Sequence, residues 1–156
     1  GGGARIATFG LLNPATGANT VSISWTGAAQ IVRSVAKSYR GVRQSGLPDA
    51  TQTTTATSGT SMTGTITTVG NPTWVSVLAF LGGAGTSLTA STNVTNRQTI
   101  DLILLSGDNN ANVNGGNLAQ TVTWTNDDAD HRMIQVSFAD LNQVAADVTD
   151  DLAYIM

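Results

Sequence analysis

The chain lacks cysteine and glutamate and contains a single histidine, His131. Without cysteine it has no disulfide, no thiolate metal site and no cysteine nucleophile. General acid–base catalysis draws mostly on histidine and on carboxylates with tuned environments. One histidine and no glutamate supply such chemistry poorly, so we expect a protein that is not an enzyme and uses no cofactor.

Charge is also scarce, because charged residues make up 11% of the chain, against about 25% in ordinary soluble domains. The formal net charge of −3 argues against general nucleic-acid binding. No apolar run approaches the ~18 residues that a membrane-spanning helix needs. The length of 156 residues predicts one main domain, at residues 1–140, followed by a tail at 141–156.

Threonine and glycine are abundant, with 24 and 17 copies, and apolar residues alternate with small hydroxyl residues. Residues 20–26 show this pattern, with Val21, Ile23 and Trp25 at every second position. Successive side chains of a strand point to opposite faces, so these three residues are predicted to face a core. Residues 121–125 repeat the pattern, which predicts a second strand of this kind.

Further segments also indicate strands. Those at 73–81 and 99–106 are apolar at successive positions, which is typical of central strands covered on both faces. The segment 30–43 fits either a helical stripe or a strand, and its valine and tyrosine content favours a strand. The other predictions are an inward row of Ile134, Val136 and Phe138, core positions for Val122 and Trp124, weaker strands at 5–12 and 62–69, and an edge strand within the Thr-rich stretch 49–68.

Glycine, asparagine and proline punctuate these strands, as at 13–19, 70–72 and 107–117. This arrangement predicts an all-β fold, an antiparallel β-sandwich of the jelly-roll or immunoglobulin-like type.

The tail at 141–156 has a different periodicity. Its apolar residues follow helical spacing, and Asp140 is a suitable N-cap. We therefore predict a short amphipathic C-terminal helix that docks on its own sheet or on a neighbouring subunit. The apolar positions that make it an interface candidate are Leu141, Val144, Val148, Leu152 and Ile155.

Charge is segregated along the chain. Residues 101–156 hold nine of the ten aspartates, and Arg132 is their one basic residue. Two interpretations remain open: the two halves interleave in the fold, or each forms a patch through which copies associate and which salt weakens. On the second interpretation, the basic interface candidates are Arg5, Arg33, Lys37, Arg40 and Arg43.

Two loops offer candidate ligand sites. Asp127, Asp128 and Asp130 precede His131 and are candidate metal ligands, although a polar hairpin turn between strands 119–125 and 132–139 uses the same residue types. Trp74, with Asn110, Asn112 and Asn114 of the Asn-rich loop, is a candidate glycan platform, because an aromatic ring stacks on a sugar face. The alternative for Trp74 is core packing.

The run Leu-Leu-Asn-Pro-Ala-Thr-Gly-Ala-Asn-Thr-Val-Ser-Ile-Ser-Trp at 11–25, followed by Ser-Tyr-Arg-Gly-Val at 38–42, resembles β-sandwich modules of bacteriophage virion and bacterial surface proteins. The resemblance covers residues 9–43 and, more loosely, the chain to about residue 140. Its motifs are structural, so it implies no active-site residues. In that family sequence before the Asn-Pro turn usually supplies the first strands of the sandwich. For this chain three alternatives stay open: those strands are absent, not formed, or donated by another subunit.

The resemblance implies a capsid decoration, tail or fibre subunit in a virion or at a cell surface. We therefore expect a structural assembly protein whose partners are copies of itself and other virion or surface proteins. The alternative is a carbohydrate- or receptor-binding module on the same scaffold, with a glycan as its partner.

Overall fold

The computed structural model describes most of the chain, and for residues 151–155 it describes the backbone alone. The described residues are 5–24, 26–27, 31–69, 72–82, 87–110, 113–125, 130–141 and 151–155. The predicted all-β class is confirmed, since no described residue lies in an α-helix. Accordingly, the described part of the chain contains no helix with the length and apolar character needed to cross a bilayer.

Eleven strands form three antiparallel sheets among the described residues, with strand orders β1-β11-β2, β3-β10-β5-β8-β7 and β4-β9-β6. Their bounds are β1 Phe9–Leu11, β2 Ala36–Arg40, β3 Ala50–Ala56, β4 Ser61–Thr68, β5 Thr73–Phe80, β6 Thr89–Ala90, β7 Thr95–Ile100, β8 Leu104–Asp108, β9 Gly116–Thr123, β10 His131–Ala139 and β11 Asp151–Ile155.

The five-stranded sheet is covered on one face by the sheet β4-β9-β6. Apolar side chains of both sheets form one buried cluster, to which Met62, Val122 and Trp124 contribute from the smaller sheet or its margin and Val77, Leu105 and Met133 from the larger. At Gly64 of β4 the two layers approach so closely that an added Cβ would collide with Met133 and Gln135 of β10 and Thr54 of β3. A larger residue there would displace these buried side chains, and glycine lets the two sheets approach without that shift.

The opposite face of the five-stranded sheet is covered by β2 and the residues around it. Tyr39 and Val42 pack against Val136 and Phe138 of β10. Val35 packs against Leu78 and Leu104 in a second cluster. Both faces of β5 and β10 are thereby removed from water, which explains why β5 is nearly continuously apolar.

Several sequence predictions are confirmed. The strand predicted at 73–81 is β5, and it is central as expected. Val122 and Trp124 are buried, at 0% and 4% exposure. Of the segment 30–43, residues 36–40 form a strand, and the weaker strand predicted at 5–12 is reduced to β1.

Two predictions about strand continuity are wrong. The segment 99–106 is two strands, because Asp101 and Leu102 adopt left-handed φ values of 50° and 61° and turn β7 into β8. By contrast, the Thr-rich stretch 49–68 contains the predicted edge strand, β3, and the weaker strand predicted at 62–69 is β4, in a different sheet. The strands before and after residues 126–131, β9 and β10, are also in different sheets, so they do not form a hairpin.

The strand predicted at 20–26 is absent from the described residues 20–24 and 26. Val21 and Ile23, expected in the core, are each 45% exposed. Both faces of the five-stranded sheet are already covered by other parts of the chain, so this segment does not pack on either of them. Trp25 lies outside the described residues.

The predicted C-terminal helix is not confirmed. Residues 151–155 form β11, which pairs on one side with β1 and on the other with β2. A strand bonded on both sides satisfies its backbone groups as a helix would, and it joins two otherwise separate strands. Residues 142–150 lie outside the described residues.

Candidate functional site: a basic groove beside β2

A groove of about 470 Å³ opens where β2 crosses the end of the five-stranded sheet. β2 contributes Lys37 and Tyr39, and Trp74 comes from β5. Arg97 of β7 and Asp108 of β8 complete its charged wall. The antiparallel register places Asp108 opposite both Ser76 and Thr95, so residues distant in sequence meet at one end of the sheet.

Lys37 reaches across the groove to the five-stranded sheet. Its Nζ donates hydrogen bonds to Ser76 Oγ at 2.7 Å and to the carbonyl oxygen of Gly107 at 2.6 Å. The same nitrogen lies 5.9 Å from the centroid of the Tyr39 ring, within the range of a cation–π contact. Among the described residues Lys37 forms no ion pair.

Arg97 and Asp108 form a bidentate ion pair. Arg97 Nε and Nη2 lie 2.8 and 2.7 Å from the two oxygens of a buried carboxylate. Nη2 also donates to Asn110 Oδ1 at 2.6 Å, and Asp108 Oδ1 accepts the Asn110 backbone N–H. The hydrogen bond to Asp108 raises the pKa of Arg97 further, so the guanidinium stays charged and fixed in orientation.

Aromatic rings form the apolar side of the groove. The Tyr39 centroid is 6.0 Å from that of Trp74 and 5.1 Å from that of Phe138. Phe138 is fully buried, whereas Trp74 is half-buried and faces both the core and the groove. Burial raises the pKa of the Tyr39 hydroxyl, an effect that its polar neighbour Ser76 partly offsets, and that hydroxyl makes no well-formed hydrogen bond.

Burial lowers the pKa of Lys37 to about 7. Desolvation is the largest cause, the nearby Asp108 carboxylate opposes it, and the Arg97 guanidinium adds to it. The lysine therefore titrates near neutral pH, about three units below an ordinary lysine.

This titration predicts that stability rises with pH above neutrality. Between pH 7 and 10.5 the unfolded chain holds a proton on Lys37 that the folded chain has released, so the free energy of unfolding increases by at most about 1.4 kcal/mol per pH unit. Urea unfolding of the wild type and of Lys37→Met, at pH values from 7 to 9.5, measures this difference. Parallel curves for the two chains would contradict it.

The structure brings part of the predicted glycan platform to this groove. Trp74 lines it, and Asn110 bonds the Arg97 of its wall. Asn114 is exposed in the loop before β9, and Asn112 lies outside the described residues.

The basic interface candidates are dispersed. Arg33 Nε forms an ion pair with Asp101 at 2.8 Å. At this position a base from the first half of the chain meets an acid from the second half, as expected if the two halves interleave in the fold. Arg43 lies 4.0 Å from Asp49, Arg40 and Lys37 line the groove, and Arg5 is exposed.

The tail candidates are placed only in part. Leu141 is half-buried, and its N–H bonds the carbonyl of Gly41. Leu152 and Ile155 belong to β11, opposite Tyr39 and Ala36 of β2. Val144 and Val148 lie outside the described residues.

Of the three candidate metal ligands, Asp127 and Asp128 lie outside the described residues. Asp130 accepts two hydrogen bonds from Arg132, at 3.0 and 2.7 Å. Within the described ranges, no three potential ligands gather as a metal site would require.

Sequence reasoning missed Ser76, Arg97 and Asp108 as site residues. The one available signal is that Asp108 follows the apolar run of β8, where a carboxylate needs a partner if it is buried. Comparisons of the chain with models of known families, with curated proteins and with solved structures gave no match.

Proposed function

We propose that this chain is a structural subunit of a repeated assembly, such as a virion decoration, tail or fibre or an extracellular filament, and that it acts by self-association. The observation that carries the proposal is the segment 19–24. It has the alternating pattern of a strand, yet it pairs with no described strand and exposes its apolar side chains.

Exposed apolar residues are concentrated in this part of the chain. Phe9 and Leu11 of β1 are 68% and 54% exposed, and Val21 and Ile23 are 45% exposed each. Isolated exposed aliphatic residues are ordinary, but a group of them marks an interaction surface. Because the pattern has a period of two, the partner surface it fits is a sheet.

A second copy of the chain offers such a surface. β3 and β7 are the edges of the five-stranded sheet, and an edge strand presents unpaired backbone N–H and C=O groups. The pairing of β7 with β8 shifts register between Asn96 and Gln98, whereas the pairing of β3 with β10 is continuous. Addition of residues 19–24 to an edge of the next copy would pair the backbone and cover Val21 and Ile23.

The strand connections support a jelly-roll type for the packed sheets. Successive strands from β3 to β7 alternate between the five-stranded and the three-stranded sheet, and so do β8, β9 and β10. Jelly rolls are used by viral capsid and lectin domains. This is an analogy of fold, and the argument for assembly rests on the exposed segment.

Analytical ultracentrifugation across a range of concentrations tests the proposal, with electron microscopy of the concentrated sample. We expect the mass to increase with concentration and the images to show rings, lattices or filaments. Repeating the series at high salt separates an apolar contact, which persists, from a contact between charge patches, which weakens. A monomer under every condition would contradict the proposal.

A further inference from the structure

We propose that the groove lined by Lys37, Tyr39, Trp74, Arg97 and Asp108 is a binding site for an acidic sugar, a pyranose that carries a carboxylate. None of the side chains of this site belongs to the segment 19–24.

The groove contains one positive charge, on Lys37, that forms no ion pair among the described residues. Arg97 and Asp108 neutralise each other in their bidentate pair, which leaves the Lys37 ammonium without a counter-ion among the described residues. A partly buried cation without an opposite charge is costly. The low pKa of Lys37 is a consequence of this arrangement. An anionic group within the groove would supply the missing charge and favour the protonated lysine.

The aromatic surface adjoins this cation. The Tyr39 centroid lies 5.9 Å from Lys37 Nζ and 6.0 Å from the Trp74 centroid. A ligand that reaches both the ammonium and the indole therefore needs an anionic end and a flat, partly apolar body. A uronic acid has both, because its carboxylate is attached directly to the pyranose ring, whose C–H face stacks on tryptophan.

The groove fits a ligand of this size, since its volume of about 470 Å³ lies in the range of small-molecule sites, roughly 300–1,000 Å³. Its polar groups suit sugar hydroxyls. The buried Asp108 carboxylate is an acceptor, and the side chain of Arg97 is 40% exposed and held in a fixed orientation. Fixed donors and acceptors lose little conformational entropy when they bind a ligand.

An NMR titration with glucuronate, and in parallel with glucose and acetate, tests the site. We expect glucuronate to bind at least about tenfold more tightly than either of the others, since glucose lacks the carboxylate that meets Lys37 and acetate lacks the ring that stacks on Trp74. Lys37→Met is expected to lose about tenfold in affinity. Arg33→Met, which removes a cation outside the groove, is the matched control and is expected to bind like the wild type.

A pH series on the wild type gives a second readout that does not depend on the variant. The sugar carboxylate stays ionised between pH 6 and 9, while Lys37 loses its proton above about 7, so the affinity for glucuronate should fall as the pH rises. The proposal is overturned if glucose or acetate binds as tightly as glucuronate, if Lys37→Met binds like the wild type, or if the affinity is unchanged from pH 6 to 9.

Discussion

Replacing Val21 and Ile23 together with aspartate is expected to convert the assembly to monomers. Each side chain is 45% exposed, and in the proposed assembly it is covered by the neighbouring copy that receives the segment. Full burial of such a side chain is worth roughly 1.5–3 kcal/mol, and a little under half of it remains to be gained on association, so the double substitution weakens association by about 10- to 100-fold. Sedimentation velocity at matched concentrations measures the change.

The matched control for this variant is Ser22→Asp with Ser24→Asp. It adds the same two charges to the same segment, but in a strand these positions point to the opposite face. We expect this control chain to assemble like the wild type. If both double variants lost assembly equally, the effect would be one of charge alone, and the account of strand addition would be wrong.

Truncation of Phe138 to alanine is expected to lower the free energy of unfolding by about 3–5 kcal/mol. Phe138 is fully buried, packs beside Tyr39 and Val42, and joins β10 to the residues that cover the second face of the sheet. The cavity left by its ring would loosen β2 as well as the sheet. Urea unfolding of the dilute chain measures the loss.

Val69→Ala is the control for this truncation. Val69 follows β4 and is 77% exposed, so its loss should change stability by no more than about 0.5 kcal/mol. A cost for Phe138→Ala as small as that of the control would show that the second face of the sheet is not closed by β2.

The sequence predicts those strands in which the spacing of apolar residues matches the faces that are buried in the fold. β5 is apolar at successive positions because both of its faces are covered, and Val122 and Trp124 alternate with threonines because one face of their strand is not. The Thr-rich stretch gives no comparable signal. Threonine suits either face of a strand, so the pattern predicts the edge strand and the weaker strand at 62–69 but not that β3 and β4 lie in different sheets.

Other features depend on contacts that no local pattern reveals. Leu102 adopts a left-handed φ although leucine carries no turn signal. Lys37 meets Ser76 and Gly107 across 39 and 70 residues of chain, so the groove exists only once the topology is known. The alternation at 20–24 predicts a strand that the structure does not form, because a period of two shows which side chains share a face but not whether a partner strand is present.

Hydrogen exchange of the segment 19–24, compared between dilute and assembled chain, tests the central claim most directly. Backbone amides of an unpaired, exposed segment exchange quickly, and those of a strand in a sheet are protected. The account predicts that assembly slows exchange across residues 19–24 and at an edge strand of the receiving copy. Equally fast exchange of this segment in the monomer and in a demonstrated assembly would contradict it.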